Sequence, residues 1–295
     1  RYRSSAASDV YKRQASTRDR YSGAQLPVAL SYIAMAASIT PLIAPVLGGF
    51  INFHFGWSMV FVSLLGYVAI AWAIIAIRFD ETLSQTKPMP SPVNMLRQYR
   101  ELVTSRYFIS FASIGWLNFS LMITTVSVMP FIMQDQIGMT SDEYAMWALI
   151  PAFGMLTGTS ICNRVRPIIG SKKMLLCTPV LHLASALWFF FCPLEPLYLM
   201  FGQLLMILGN AIALPCAQAM VMQPYKKQAG AAAAMSGGGQ MIISSIVSMA
   251  LVTLGLNQAW HLSFVIIAFA AITLGNIVRG FSTHEALVQK ERQAV

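Results

Sequence analysis

The chain has 295 residues, of which 56% are hydrophobic and only 11% charged, and its mean hydropathy is +0.61. Soluble domains carry about 25% charged residues, so this composition excludes an ordinary water-soluble protein and indicates an all-α polytopic membrane protein. The net charge of +9 does not argue for nucleic acid, because the basic residues lie in short segments between apolar runs.

Residues 1–24 are polar and basic and contain no apolar stretch of signal-peptide type. Residues 1–14, Arg1 to Gln14, read as a non-native, adapter-like segment, and native sequence is expected to start near Ala15. Eight apolar runs follow, over 25–51, 57–77, 107–132, 144–165, 174–192, 197–223, 228–255 and 260–278. Each is near or above the roughly 20 residues that cross a bilayer as a helix.

The first run contains Ser38-Ile39-Thr40-Pro41-Leu42-Ile43-Ala44-Pro45-Val46-Leu47-Gly48-Gly49. Two prolines and two glycines would be costly in a soluble helix. In a membrane helix they are tolerated where neighbours satisfy the freed backbone groups. Thr40, Ala44 and Gly48 recur every four positions and form a smooth stripe that lets another helix approach closely. From the residues alone this is a proline-kinked packing helix.

The longest internal connection, 79–106, holds Lys87-Pro88-Met89-Pro90-Ser91-Pro92, a stiff linker, and then an amphipathic piece over 95–103. It is the best domain boundary, with two runs before it and six after. All twenty Lys and Arg residues fall before run one, after run eight, or in the alternate connections between, counting Arg164 at the very end of run four. The opposite connections hold Asp135, Asp142, Glu143 and Glu195 and no base. By the positive-inside rule the basic side is cytoplasmic, and both ends of the chain are expected there.

Cys162, Cys177, Cys192 and Cys216 lack CxxC spacing and read as packed free thiols, with no metal site implied. His182 is the one titratable residue clearly inside a run. It is either a proton relay or a neutral, packed histidine. Gln203, Asn210 and Gln218 fall on one face of run six; Ser236, Gln240, Ser244 and Ser248 form an i+4 ladder in run seven; Asn118, Thr124 and Thr125 lie in run three, near Trp116. Such groups either line a cavity or bond between helices, at about 0.6 kcal/mol each on average. No H-E-x-x-H, G-x-S-x-G or phosphate-binding glycine loop is present, so no catalytic residue is assigned and an enzyme is not expected.

At 38–49 the chain resembles the antiporter motif G-x-x-x-G-P-x-x-G-G of the major facilitator superfamily. Pro45, Gly48 and Gly49 match, while Thr40 and Ala44 replace the first two glycines with other small residues. Glu81-Thr82 after run two, Ser105-Arg106 before run three and the small-residue segment 232–240, with Gly237-Gly238-Gly239, fit the same family. Asn163-Arg164-Val165-Arg166 and Ser171-Lys172-Lys173 resemble a decayed copy of its G-x-x-x-D-R-x-G-R-R/K loop motif, with Asn163 in place of the acid. The alternative for that segment is a basic membrane anchor.

Residues 15–282 resemble the twelve-helix drug:proton antiporters of the bicyclomycin-resistance and chloramphenicol-efflux group. The resemblance implies a major facilitator fold with eight of twelve transmembrane helices present. Residues 15–78 would be the last two helices of the N-terminal bundle, 79–106 the cytoplasmic inter-bundle loop, 107–282 the C-terminal six-helix bundle and 283–295 a cytoplasmic tail.

It further implies proton-coupled efflux of small amphipathic drugs or antibiotics from a bacterial inner membrane. No cofactor is expected beyond the proton gradient, and the protein is expected to act as a monomer in the lipid bilayer. Trp116, Asn118, Gln218 and Gln240 would line the central cavity. The family's acid of helix one and arginine of helix four have no counterpart in the chain. Alternatives are a metabolite transporter on the same fold and a non-transporting, truncated remnant.

Overall fold

In lipid every backbone N–H and C=O must find its partner within the protein, which favours helices for a chain this apolar. The computed structural model describes residues 43, 44, 46–78, 92–225, 228–256 and 258–293, and no strand occurs among them. Thr40 and Pro45, the segment 1–14, Glu81-Thr82, the linker at 87–91 and Lys226-Lys227 lie outside the described residues.

The helices, in chain order, are α1 (Val46–Phe55), α2 (Trp57–Arg78), α3 (Pro92–Thr104), α4 (Arg106–Phe131), α5 (Ser141–Trp147), α6 (Leu149–Phe191), α7 (Pro196–Met222), α8 (Ala229–Thr253) and α9 (Ala259–Gln293). A single π turn, Ile132–Gln136, follows α4. The hydroxyl of Ser105 caps α4 by accepting from the Phe108 amide and also bonds the Tyr225 hydroxyl at 2.6 Å.

Six helical stretches among the described residues are long and apolar enough to span a bilayer. The longest, Ser141–Phe191, has 51 residues and holds two of the expected runs. Gly170, at φ 83° and ψ 156°, breaks α6 into two arms in a conformation that favours glycine. Seven of the eight runs are thereby accounted for, and the described end of the first belongs to the short apolar helix α1.

Asn163 and Arg164, expected in a loop, are helical, because the first arm of α6 continues unbroken to Gly170. Residues 283–293, read as a tail, continue α9.

The two arms of α6 pair most extensively with α7. α9 lies against α6 and α4, and α4 packs on α8 and α7. The first arm meets α7 along a seam of small residues. A Cβ at Gly154 would lie 2.3 Å from Leu204 Cδ1, and one at Gly158 would lie 2.7 Å from Ala211 Cβ. One turn further on, Cys162 and Cys216 are both buried with Sγ atoms 3.5 Å apart. A membrane-permeant oxidant is therefore expected to join these two thiols, leaving two of the four cysteines to react with maleimide after unfolding. Four reactive thiols would contradict the seam.

Two apolar clusters fill the bundle. One, at the end carrying Arg106 and Arg279, contains Phe108, Phe111, Leu175, Met220 and Phe281. The other, toward the opposite end, contains Met129, Met133, Phe189, Leu199 and Leu262. Asn118, Thr125, Thr178, His182, Ser185 and Asn210 are also buried and interrupt the apolar packing. The apolar stretch of α2 buries nothing, and Trp57 and Trp72 are each 71% exposed.

Candidate functional site

Two constellations bring together residues that the sequence singles out. The first joins α4, α7 and α8. The Trp116 indole N–H donates to the Ser236 carbonyl at 2.7 Å, and the Ser236 hydroxyl donates to Gln218 Oε1 at 3.0 Å. The indole lies across Gly239, where a Cβ would come within 2.6 Å of the ring. Gln240 Oε1 stands 4.0 Å from the point a Cβ would occupy at Gly115 on α4. Trp116, Gln218 and Gln240 are all half-buried. They form a polar, half-buried junction of three helices with an aromatic side chain at its centre.

Asn118 is on another face of α4. It is 1% exposed, and its amide donates to the Ile114 carbonyl at 2.7 Å and to Thr273 Oγ1 on α9 at 3.4 Å. Gln203 and Asn210 are likewise buried inside the bundle, Asn210 beside Met206 Sδ. His182 is fully buried against Gly209, with Asn210 and the Met206 carbonyl nearby, but neither ring nitrogen makes a hydrogen bond of good geometry.

Ser236 stands in the polar ladder of run seven, but nothing in the sequence marks it as the hub of the junction or Gly239 as the seat of the indole. The nearest signal is the triple glycine 237–239: a residue without Cβ permits this approach.

The second constellation lies where α1 meets α5. A Cβ at Gly49 would come within 2.5 Å of Ala145 Cβ and 2.8 Å of the Ser141 carbonyl oxygen. One turn on, the Asn52 amide donates to Ser141 Oγ at 2.9 Å, and that hydroxyl donates to Gln134 Oε1 at 3.0 Å. Gly48 meets nothing within 4 Å, and Ala44 is exposed. The contact thus runs through Gly49 and Asn52, one position off the 40/44/48 stripe.

Clefts open at both ends of the bundle. One of ≈ 600 Å³ lies between the α3–α4 corner and α9, and one of ≈ 280 Å³ lies at the opposite end beside Gln136, Phe189 and Trp260. Neither is lined by Trp116, Asn118, Gln218 or Gln240. In a background without other reactive thiols, cysteine at 218 or 240 is expected to react with a membrane-impermeant thiol reagent, and cysteine at 118 is expected to be protected. Protection at all three positions would count against a water-accessible junction.

The family model described as Major Facilitator Superfamily matches residues 13–155 and 116–292. The chain is 26% identical over 247 residues to multidrug resistance protein MdtL of Escherichia fergusonii, covering 83% of this chain. It is 24% identical over 247 residues to MdtL of Klebsiella pneumoniae, again over 83% of the chain. The chain spans 62% of the length of these curated relatives. Among solved structures, a bacterial homolog of the human lysosomal transporter Spinster, inward-facing and unoccupied, superposes with TM-score 0.52 at 14% identity, over 91% of this chain and 71% of that one.

Proposed function

This chain belongs to the Major Facilitator Superfamily, and from that premise we propose that the complete protein exports small amphipathic, drug-like compounds in exchange for protons. It is a multi-pass membrane protein of a transporter family. The observation that carries the export reading is the tight seat of the antiporter-like helix on α5, through Gly49 and Asn52. The multidrug-resistance relatives support the same reading.

In this reading the two bundles rock about a site near the midplane. The α1–α5 contact limits proton and water leak between them. Trp116, Gln218 and Gln240 form part of the substrate surface, where the aromatic and amide groups suit varied amphipathic ligands. Asn118, buried against α9, would set the position of α4. Arg164 and its basic neighbours would face the cytoplasm, with the protein in a bacterial inner membrane and both termini on the cytoplasmic side. The coupling ion is the proton, no bound cofactor takes part, and a monomer suffices.

The test is accumulation of a fluorescent amphipathic cation in cells expressing the complete gene. Lower steady-state accumulation, reversed by a protonophore, is the expected result. Higher accumulation would indicate uptake, and unchanged accumulation across a panel of such cations would remove drug export.

A further inference from the structure

The ≈ 600 Å³ cleft at the basic end has a composition that the transport reading does not use. Arg106, at the start of α4, and Arg279, on α9, both line it, together with Ser105, Asn276 and the apolar Val103 and Ile109. Both arginines are exposed, and among the described residues neither is within ion-pair distance of a carboxylate. The one ion pair among those residues is Arg97–Glu101 on α3. Two arginines line one cleft whose described lining holds no carboxylate, and a guanidinium offers forked donors that suit a phosphate.

Three observations place the cleft at the bilayer surface. α3, which forms one wall, exposes Val93 and Leu96 at 75% and 71% while also carrying Arg97 and Arg100, the pattern of a helix lying in the interface. Lys172, at the same end, sits over the Phe281 ring at 5.4 Å. Below the cleft, on the same face of α9 as Arg279, exposed Gly275, Ile272 and Ala268 continue an apolar surface toward mid-span. A polar pocket with two cations over an apolar track matches a phospholipid, headgroup in the pocket and acyl chain along the helix. A free phosphate ion would use the pocket and leave the track idle.

We propose that this cleft is a binding site for the phosphodiester headgroup of an anionic phospholipid in the leaflet bordering the basic end. The site holds the α3–α4 corner against α9. The assignment is independent of which compound the protein transports.

The test is native mass spectrometry of the full-length protein released from detergent, titrated with dioleoylphosphatidylglycerol, with dioleoylphosphatidylcholine and with inorganic phosphate. The wild type is expected to retain phosphatidylglycerol in preference to phosphatidylcholine. R106Q/R279Q is expected to bind it about thirtyfold more weakly, since each interfacial cation contributes roughly one unit of about 1 kcal/mol. R106K/R279K, which keeps both charges, should retain most of the affinity, and K173Q, at the same end but outside the cleft, should match the wild type.

Equal retention by the wild type and R106Q/R279Q, with both monodisperse, would overturn the site. A loss of the same size in K173Q would reduce it to diffuse charge and overturn it equally. Displacement of phosphatidylglycerol by millimolar inorganic phosphate would assign the cleft to the free ion and overturn the lipid.

Discussion

Gly49→Leu is expected to lower export by the complete protein more than tenfold while leaving membrane insertion intact. The reason is local and steric. The first carbon of any side chain at 49 lands 2.5 Å from Ala145 Cβ and 2.8 Å from the Ser141 carbonyl oxygen, and a backbone atom cannot swing away as a flexible side chain can. Overpacking of this kind costs about 1–3 kcal/mol, and about 1.4 kcal/mol is already a factor of ten in an equilibrium between conformations.

Displacing α1 also stretches the bond from Asn52 to Ser141. Gly48→Leu is expected to do much less, because no described atom lies within 4 Å of that site. Gly49→Ala should be intermediate, and Ala145→Gly should restore part of the loss by removing one of the two colliding atoms. Drug accumulation and surface expression, measured together, separate these cases. Equal behaviour of the Gly48 and Gly49 variants would mean that the α1–α5 contact is not what matters.

The second large effect is expected where Trp116 crosses Gly239. Trp116→Ala removes an aromatic wall and the bond to the Ser236 carbonyl, and loss of a large buried aromatic costs about 3–5 kcal/mol where burial is complete. Trp116 is half-buried, so the lower part of that range applies. Trp116→Phe keeps most of the ring contact and loses one hydrogen bond, at about 1 kcal/mol.

Gly239→Leu attacks the same contact from α8, since its Cβ falls 2.6 Å from the indole. The two changes should not add. In the Trp116→Ala background the leucine occupies the vacated space, so Gly239→Leu is expected to cost less there than in the wild type, with a coupling of about 0.5–3 kcal/mol. Thermal stability by size-exclusion fluorescence, run on the four proteins of the cycle, measures that coupling. Strict additivity would show that the indole and Gly239 do not share the space.

The helical architecture was legible because apolar runs of bilayer length leave the backbone few alternatives in lipid. Run boundaries agreed closely where a turn residue or a charge ended them, as at Pro196 and Gln223 around α7. They failed where charge was taken to mean loop. Asn163, Arg164 and Arg166 stay helical because a helix leaving the membrane can carry charges for another turn, and only the positive φ of Gly170 ends it.

The site was legible in composition but not in direction. Asn118 and Trp116 are two residues apart on α4 and therefore point to different faces, one toward α9 and one toward α8. Residue type alone gave no sign of which face each neighbour would cover. The antiporter-like stretch was located by its glycines, yet which of the two adjacent glycines would touch a neighbour depended on the rotation of α1, which only packing against α5 fixes.

We propose that the complete protein exchanges an amphipathic compound for protons. The most direct test uses inside-out membrane vesicles containing the complete protein, energised to acidify the lumen and followed with a pH-sensitive dye. Adding a transported cation is expected to release protons and raise the luminal pH, with Gly49→Leu vesicles giving little response. A luminal pH unchanged by every compound that the same vesicles accumulate would contradict proton exchange.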